Sequence, residues 1–197
     1  MSRLVIGLLV VLLVAGVVLS RGMGFTSRRT PLPLEPAVAR SALRWATPSA
    51  IASAANPVKN SPEVLRDAMA HWADHCALCH GNDGRGTPIG RSLYPPAPDM
   101  TASATQELSD GEMFYVIEHG IPLTGMPAWG NGTAAGEEAS WALVRFIRHL
   151  PQLTPEDLAA MEKMNPKSPD ELAEEQEEER FLRGEDNHET TPEHHHH

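Results

Sequence analysis

Cysteine is nearly missing from this chain: 197 residues hold two, Cys76 and Cys79, with His80 directly after the second. A four-ligand zinc site built on that pair needs a second Cys/His pair at comparable spacing, and none of the usual form follows. His80 is poorly placed to share an ion with its neighbour Cys79. A thioredoxin-type redox motif needs a βαβ pattern around it, and that pattern is also missing. No segment alternates apolar and polar residues as a half-buried strand does, and no internal repeat occurs. Basic charge is scarce after the first 60 residues: net charge is +6 over 1–60, −6 over 61–151 and −10 over 152–197. The central and C-terminal parts would therefore repel nucleic acid, whose recognition needs the opposite sign. Basic protein surfaces or metal ions suit them better.

What is present concentrates in "ADHCALCHGNDGRGTP", residues 73–88. Cys-x-x-Cys-His reads as covalent haem attachment. Two thiols about one helical turn apart can add to the two vinyl groups of a haem. The adjacent His80 imidazole then lies under the iron as its proximal ligand. The other axial position calls for a second ligand, and a Met thioether opposite His raises the reduction potential of an electron-transfer haem. Met126, in "GIPLTGMPAWG" 46 residues after His80, is the candidate. Gly125 permits a close backbone approach, and Pro127 holds Met126 extended and stiffens the loop. Met100 and His119 are the alternatives. Met69 and Met113 fall on apolar helix faces, and His71, His75 and His149 sit on helices where a lone histidine is ordinarily structural. Arg85, Arg91 and Tyr94, in the loop after the motif, are candidate contacts to the haem propionates or ring edge, since Arg pairs bidentately with carboxylates.

Three helices are expected between Ser61 and Pro151. The first starts at "SPEV", with Ser61 as N-cap, Pro62 in the first turn and Glu63 facing the positive helix end. Leu65, Ala68, Met69, Trp72 and Cys76 form its apolar face. The second opens on a capping box from Ser109 to Glu112 and stops at Gly120. The third runs from about Glu137 to Leu150 and presents Trp141, Leu143, Val144, Phe146 and Ile147. About 90 residues in three short helices make a marginal core alone, so a haem would be part of the fold.

The N-terminus, "MSRLVIGLLVVLLVAGVVLSRGMG", has sixteen consecutive apolar or Gly residues from Leu4 to Leu19. This is an export signal or a membrane anchor. Val18-Leu19-Ser20 is a poor cleavage site, which favours an uncleaved anchor over residues 1–25. Arg21, Arg28 and Arg29 on the exported side fit the positive-inside preference badly. No cysteine follows the run, which dismisses a lipid anchor. Residues 26–60 are rich in Pro, Ala and Ser, with prolines at 31, 33, 36, 48 and 57. The prolines interrupt every candidate helix and favour extended backbone, so the stretch reads as a semi-flexible tether, about 100 Å long if fully extended at the ~3 Å per residue of polyproline geometry.

The combination "CALCHGNDGRG…GIPLTGMPAW…WALVRFIRHL" resembles class I c-type cytochromes, above all the single-haem domains of bacterial respiratory oxidases. The resemblance covers residues 61–151. It implies an all-α fold around one covalent haem c, in which the first and last helices cross and His80 and Met126 are the axial ligands. It points to an electron carrier rather than an enzyme, with redox proteins as partners and no small-molecule substrate. Residues 1–60 take no function from it, and the membrane attachment is read from the N-terminal apolar run alone. The expected place is the periplasmic side of the bacterial inner membrane, or the soluble periplasm if residues 1–20 are removed. A fixed haem subunit of a larger oxidoreductase complex and a haem-based ligand sensor are the rival readings.

Residues 152–197 lie outside that pattern. "LTPEDL" and "KSPDEL" are two helix starts of one type, capped by Thr154 and Ser168. Leu158 and Met161 are expected to pack on the core, with Leu172, Phe181 and Leu182 as the remaining apolar anchors. The run "DELAEEQEEERFLRGE" carries too much like charge to fold well alone and reads as a solvated helix or a surface for a basic partner. His188, His194, His195, His196 and His197, set among carboxylates, are candidate ligands for Cu, Ni or Zn; a tag or an inert polar tail is the alternative.

Overall fold

The computed structural model describes residues 3–23, 26 and 30–183. The candidate metal ligands His188, His194, His195, His196 and His197 lie outside the described residues. Those described are helical wherever they are regular, with no strand among them. Residues up to Met164 form one compact unit and those after it a second.

Helix α1 (Arg3–Met23) is apolar between Arg3 and Ser20, and its window Val5–Gly22 is buried against none of the described residues. Helix α2 (Glu35–Ala46) and a single turn, α3 (Ser49–Ala52), occupy the stretch expected to be an extended tether. That expectation fails because the prolines flank these helices instead of interrupting them. Pro36 falls in the first turn of α2, where its missing N–H costs nothing, and Pro48 is the N-cap of α3. The segment after α2 is built into the domain: Thr47 is buried, Ser109 donates to the Ala52 carbonyl at 2.6 Å, and Asn56 donates to the Trp141 carbonyl at 2.9 Å. Arg145 closes the same seam by donating to the carbonyls of Val58 and Asn56.

Helix α4 (Pro62–His71) starts where the sequence places it, with the Ser61 hydroxyl accepting from Val64 N–H. It runs into a π-helical turn, Trp72–Cys76, then α5 (Ala77–His80). The turns α6 (Pro88–Ser92) and α7 (Ser103–Gln106) punctuate the Gly/Pro-rich stretch. Helix α8 (Asp110–His119) opens on the Ser109–Glu112 capping box and ends at Gly120, whose φ of 64° suits glycine. Helix α9 (Ala134–His149) begins three residues before the expected Glu137, capped by Thr133. Helix α10 (Pro155–Glu162) has its own capping box, Thr154 with Asp157.

Alternate faces of α4, α8 and α9 meet in one core of Ala68, Trp72, Met113, Ile117, Leu143, Val144, Phe146 and Ile147. Met161 of α10 is fully buried in that cluster and Leu158 packs on it, so the core continues past Pro151. Phe114 and Trp141 stack with ring centres 4.2 Å apart. Arg148 fastens the end of α9 to the α7–α8 junction, donating to Asp110 at 2.9 and 3.0 Å and to the carbonyls of Gln106 and Leu108.

In the second unit, α11 (Pro169–Leu182) carries the Ser168–Glu171 capping box. The expected anchors Leu172, Phe181 and Leu182 are all exposed on it. Lys167 pairs with Glu175 on its surface.

Candidate haem site

The π-helical turn adds one residue to the α-helical count directly before the motif, and such turns recur at functional sites. It delivers Cys76 to the last turn of the helix, with Cys79 and His80 in the turn after it. Both thiols are free and half-buried. Burial, with a smaller contribution from the neighbouring Cys79 thiol, pushes Cys76 up to about 12. A thiol held that high stays protonated at neutral pH when no metal or electrophile is bound, so it is not a resting redox nucleophile.

His80 is positioned from three directions. Trp72 stacks obliquely on its ring at 5.7 Å, and the Trp72 indole N–H donates to the Gly81 carbonyl at 3.0 Å. The His80 carbonyl accepts from Gly86 N–H at 2.6 Å, closing the loop that follows. Gly81, Gly84 and Gly86 all have positive φ in that loop, which is why glycine recurs there. Burial holds the His80 imidazole below its ordinary pKa, and the Pro98 backbone opposes that shift. Pro98 stands short of a well-formed hydrogen bond, however, and His80 Nδ1 is left buried without a partner. An imidazole kept neutral by burial is the form that ligates a metal.

The segment from Thr87 to Ala97 folds over the motif. Thr87 donates from its hydroxyl to the Leu78 carbonyl at 2.7 Å and from its backbone to the Cys79 carbonyl at 3.0 Å. Gly90 lies so close that a Cβ there would sit 1.9 Å from the Cys79 oxygen.

Met126 is half-buried in a loop folded back on the end of α8. Its carbonyl accepts from Ile121 N–H at 3.1 Å, its N–H donates to the Thr124 hydroxyl at 3.1 Å, and Trp129 N–H donates to the Ile117 carbonyl. Two contacts bring this loop to the motif's side of the fold. Trp129 meets His75 edge-on at 5.3 Å, one residue before Cys76. Gly125 faces the Leu93 side chain so closely that a Cβ would stand 2.6 Å from it. The rival ligands are engaged elsewhere. His119 is exposed, stacks on Tyr115 at 4.3 Å and bonds the Tyr115 carbonyl. Met100 packs against the core beneath Gly84.

The three candidate propionate contacts separate. Arg85 is exposed and acts on Asp99. Arg91 is exposed, with its stem 3.5 Å from where a Gly86 Cβ would lie. Tyr94 donates its hydroxyl to the Glu35 carboxylate of α2. Sequence reasoning passed over Pro98, Gly90 and Glu35, because each takes its importance from a partner distant in the chain. Trp72 was legible as an apolar position but not as a donor to Gly81.

The donor set fits a covalently held haem: paired thiols one turn apart, an imidazole that burial keeps below its ordinary pKa, and a thioether in the loop after α8. Residues 63–147 match the family model described as cytochrome c oxidase, cbb3-type, subunit III. No curated protein matches the chain. The matched domain is a c-type cytochrome domain, which implies haem c as cofactor and electron transfer rather than catalysis as its role. Residues 63–147 are thus a c-type cytochrome domain similar to subunit III of cbb3-type cytochrome c oxidase, and the all-helical fold they build is class I cytochrome c-like.

Proposed function

We propose that the chain is a membrane-tethered one-electron carrier on the exported side of a bacterial inner membrane. One haem c would be held by Cys76 and Cys79 and ligated by His80 and Met126. The chemistry that haem c supplies when bound is reversible one-electron transfer at iron. Cys76 and Cys79 would hold the cofactor through thioether links, tying it to the helix that carries His80. Trp72 and the Gly81–Gly86 loop keep His80 in place, and the bonded loop around Met126 keeps the thioether from swinging away. Ligands held in both oxidation states keep reorganisation small. Helix α1, 21 residues long, has the length to span a bilayer and serve as the tether.

The observation that carries this reading is the pair of half-buried thiols beside a His80 whose buried Nδ1 has no partner. The test is spectroscopy of the holoprotein with Met126→Ala. The oxidised wild type should show the far-red Met-to-iron band. Met126→Ala should lose it, keep its covalent haem and show a lower reduction potential. Met100→Ala should keep the band. A band that survives Met126→Ala would remove Met126 from the iron.

A second reading has the family match behind it: the chain is a fixed haem subunit of an oxidase-like complex. Co-purification from native membranes in constant ratio with other redox subunits would favour it over the mobile carrier.

A further inference from the structure

Helix α2 has an apolar ridge that the described part of the chain leaves uncovered. Leu34, Val38 and Trp45 are 75%, 65% and 89% exposed, and Ala37, Ser41 and Ala42 floor a shallow groove between the last two. Positions 34, 38, 41 or 42 and 45 recur at three- and four-residue steps, so they share one helical face. A different face of α2 is docked on the haem domain. Glu35 accepts from Tyr94, Leu43 is half-buried, and Arg44 pairs with Glu112 at 3.5 Å. Arg40 lies on the side of the helix away from the ridge, between Leu43 and Arg44 in the helical projection, and is exposed.

We propose that this ridge lies in the membrane interface, so that α2 holds the haem domain against the bilayer surface. The inference rests on α1 being a retained membrane anchor. Two features select lipid as the occupant. The first is continuity: only residues 24–34 separate α1 from α2. Those eleven residues reach at most about 40 Å when fully extended, so a bilayer holding α1 is always within range of the ridge. The second is chemistry. An amphipathic helix with Trp and aliphatic residues on one face and Arg on the others is the pattern that lies flat in a lipid interface. Trp is an interface residue in particular, and Arg21, Arg40 and Arg44 place cations where anionic headgroups would meet them. A 12-residue helix binds weakly alone, but α1 makes its encounter with lipid intramolecular. The consequence is positional. Tyr94 and Glu112 connect α2 to the loop after the haem motif and to the start of α8, so a seated ridge fixes how the domain faces the membrane plane.

The test uses the full haem-loaded chain in phosphatidylcholine/phosphatidylglycerol vesicles. With the native thiols consumed as thioethers, Val38→Cys and Arg40→Cys each give one site for a nitroxide. At position 38, collisions with oxygen should exceed those with a water-soluble nickel chelate; at position 40 the order should reverse. Adding Trp45→Ser to Val38→Cys should shift position 38 toward the nickel reagent. Vesicle-bound protein with position 38 as open to nickel as position 40 would overturn the ridge proposal and leave the anchor standing. Spin–spin broadening at position 38 that vanishes on dilution with unlabelled protein would overturn it in favour of a second copy. Protein that fails to float with the vesicles would overturn the anchor itself, and this inference with it.

Discussion

Gly90 has no chemistry of its own, yet the geometry around the motif depends on it. Its absent side chain lets α6 touch the Cys79 carbonyl, and the nearest atoms to an added Cβ are the Cys79 oxygen and carbon at 1.9 and 2.8 Å. Backbone cannot rotate away as a flexible side chain can. Gly90→Ala should therefore cost about 1–3 kcal/mol, as overpacking does. Guanidinium unfolding of the holoprotein should show the lower midpoint, and an unchanged midpoint would mean α6 does not hold that contact. Residues of this kind mark the limit of sequence reading. Cys76, Cys79 and His80 are legible because their chemistry is contiguous, and Met126 because Gly125 and Pro127 mark its loop. Gly90 reads only as one more glycine in a Gly/Pro-rich stretch, and its reason lies eleven residues away. Tyr94 is the same case in reverse: its partner, Glu35, lies 59 residues upstream in a segment read as extended.

At the scale of elements, helix starts were the most legible feature, since a cap is local chemistry. Ser61, Ser109, Thr154 and Ser168 all cap as their sequences indicate. Thr133 is hard to read as a cap because no large apolar residue follows until Trp141 makes the helix visible. Helix α2 is hidden in the sequence by its prolines, which suggest an extended chain but sit at helix starts, where they are harmless. The π-helical turn has no sequence signal, as it arises from fitting α4 and the motif to one core. Helix α10 shows how an element outside the family pattern joins the domain. Met161 is 0% exposed among the core residues. Met161→Ala should cost about 2–5 kcal/mol of global stability, as buried large-to-small changes do. Exposed Met164→Ala, at the end of the same unit, should cost far less in the same urea titration. If the two variants unfolded alike, α10 would be an appendage and not part of the core.

For the molecule as a whole, charge is arranged in blocks: a basic N-terminal arm, an acidic domain and a more acidic tail. That arrangement suits a chain whose N-terminal side meets anionic lipid and whose remaining surface stays in water. It also sets where stability responds to pH. The capping carboxylates Glu63, Asp157 and Glu171 are all held below their ordinary values of 4.5, 3.8 and 4.5, chiefly by hydrogen bonds at helix starts. Their contributions are intact above those values and fade only in stronger acid. His71 acts at higher pH. Burial first, and then the neighbouring His75, hold it below 6.5, while Asp74 opposes the shift. Between the unfolded value of 6.5 and the lower folded one, the unfolded chain binds the extra proton. Stability therefore rises with pH across that window and falls as pH drops through it. Lowering the pH from 7.5 to 5.5 should reduce the urea midpoint of the holoprotein while the capping carboxylates remain ionised. His71→Gln, which cannot take up the proton, should show a smaller reduction over the same interval. His80 is depressed by burial as well, but it is present in both proteins, so the difference between them isolates His71. Equal reductions in the two proteins would show that His71 is not the group that senses this range.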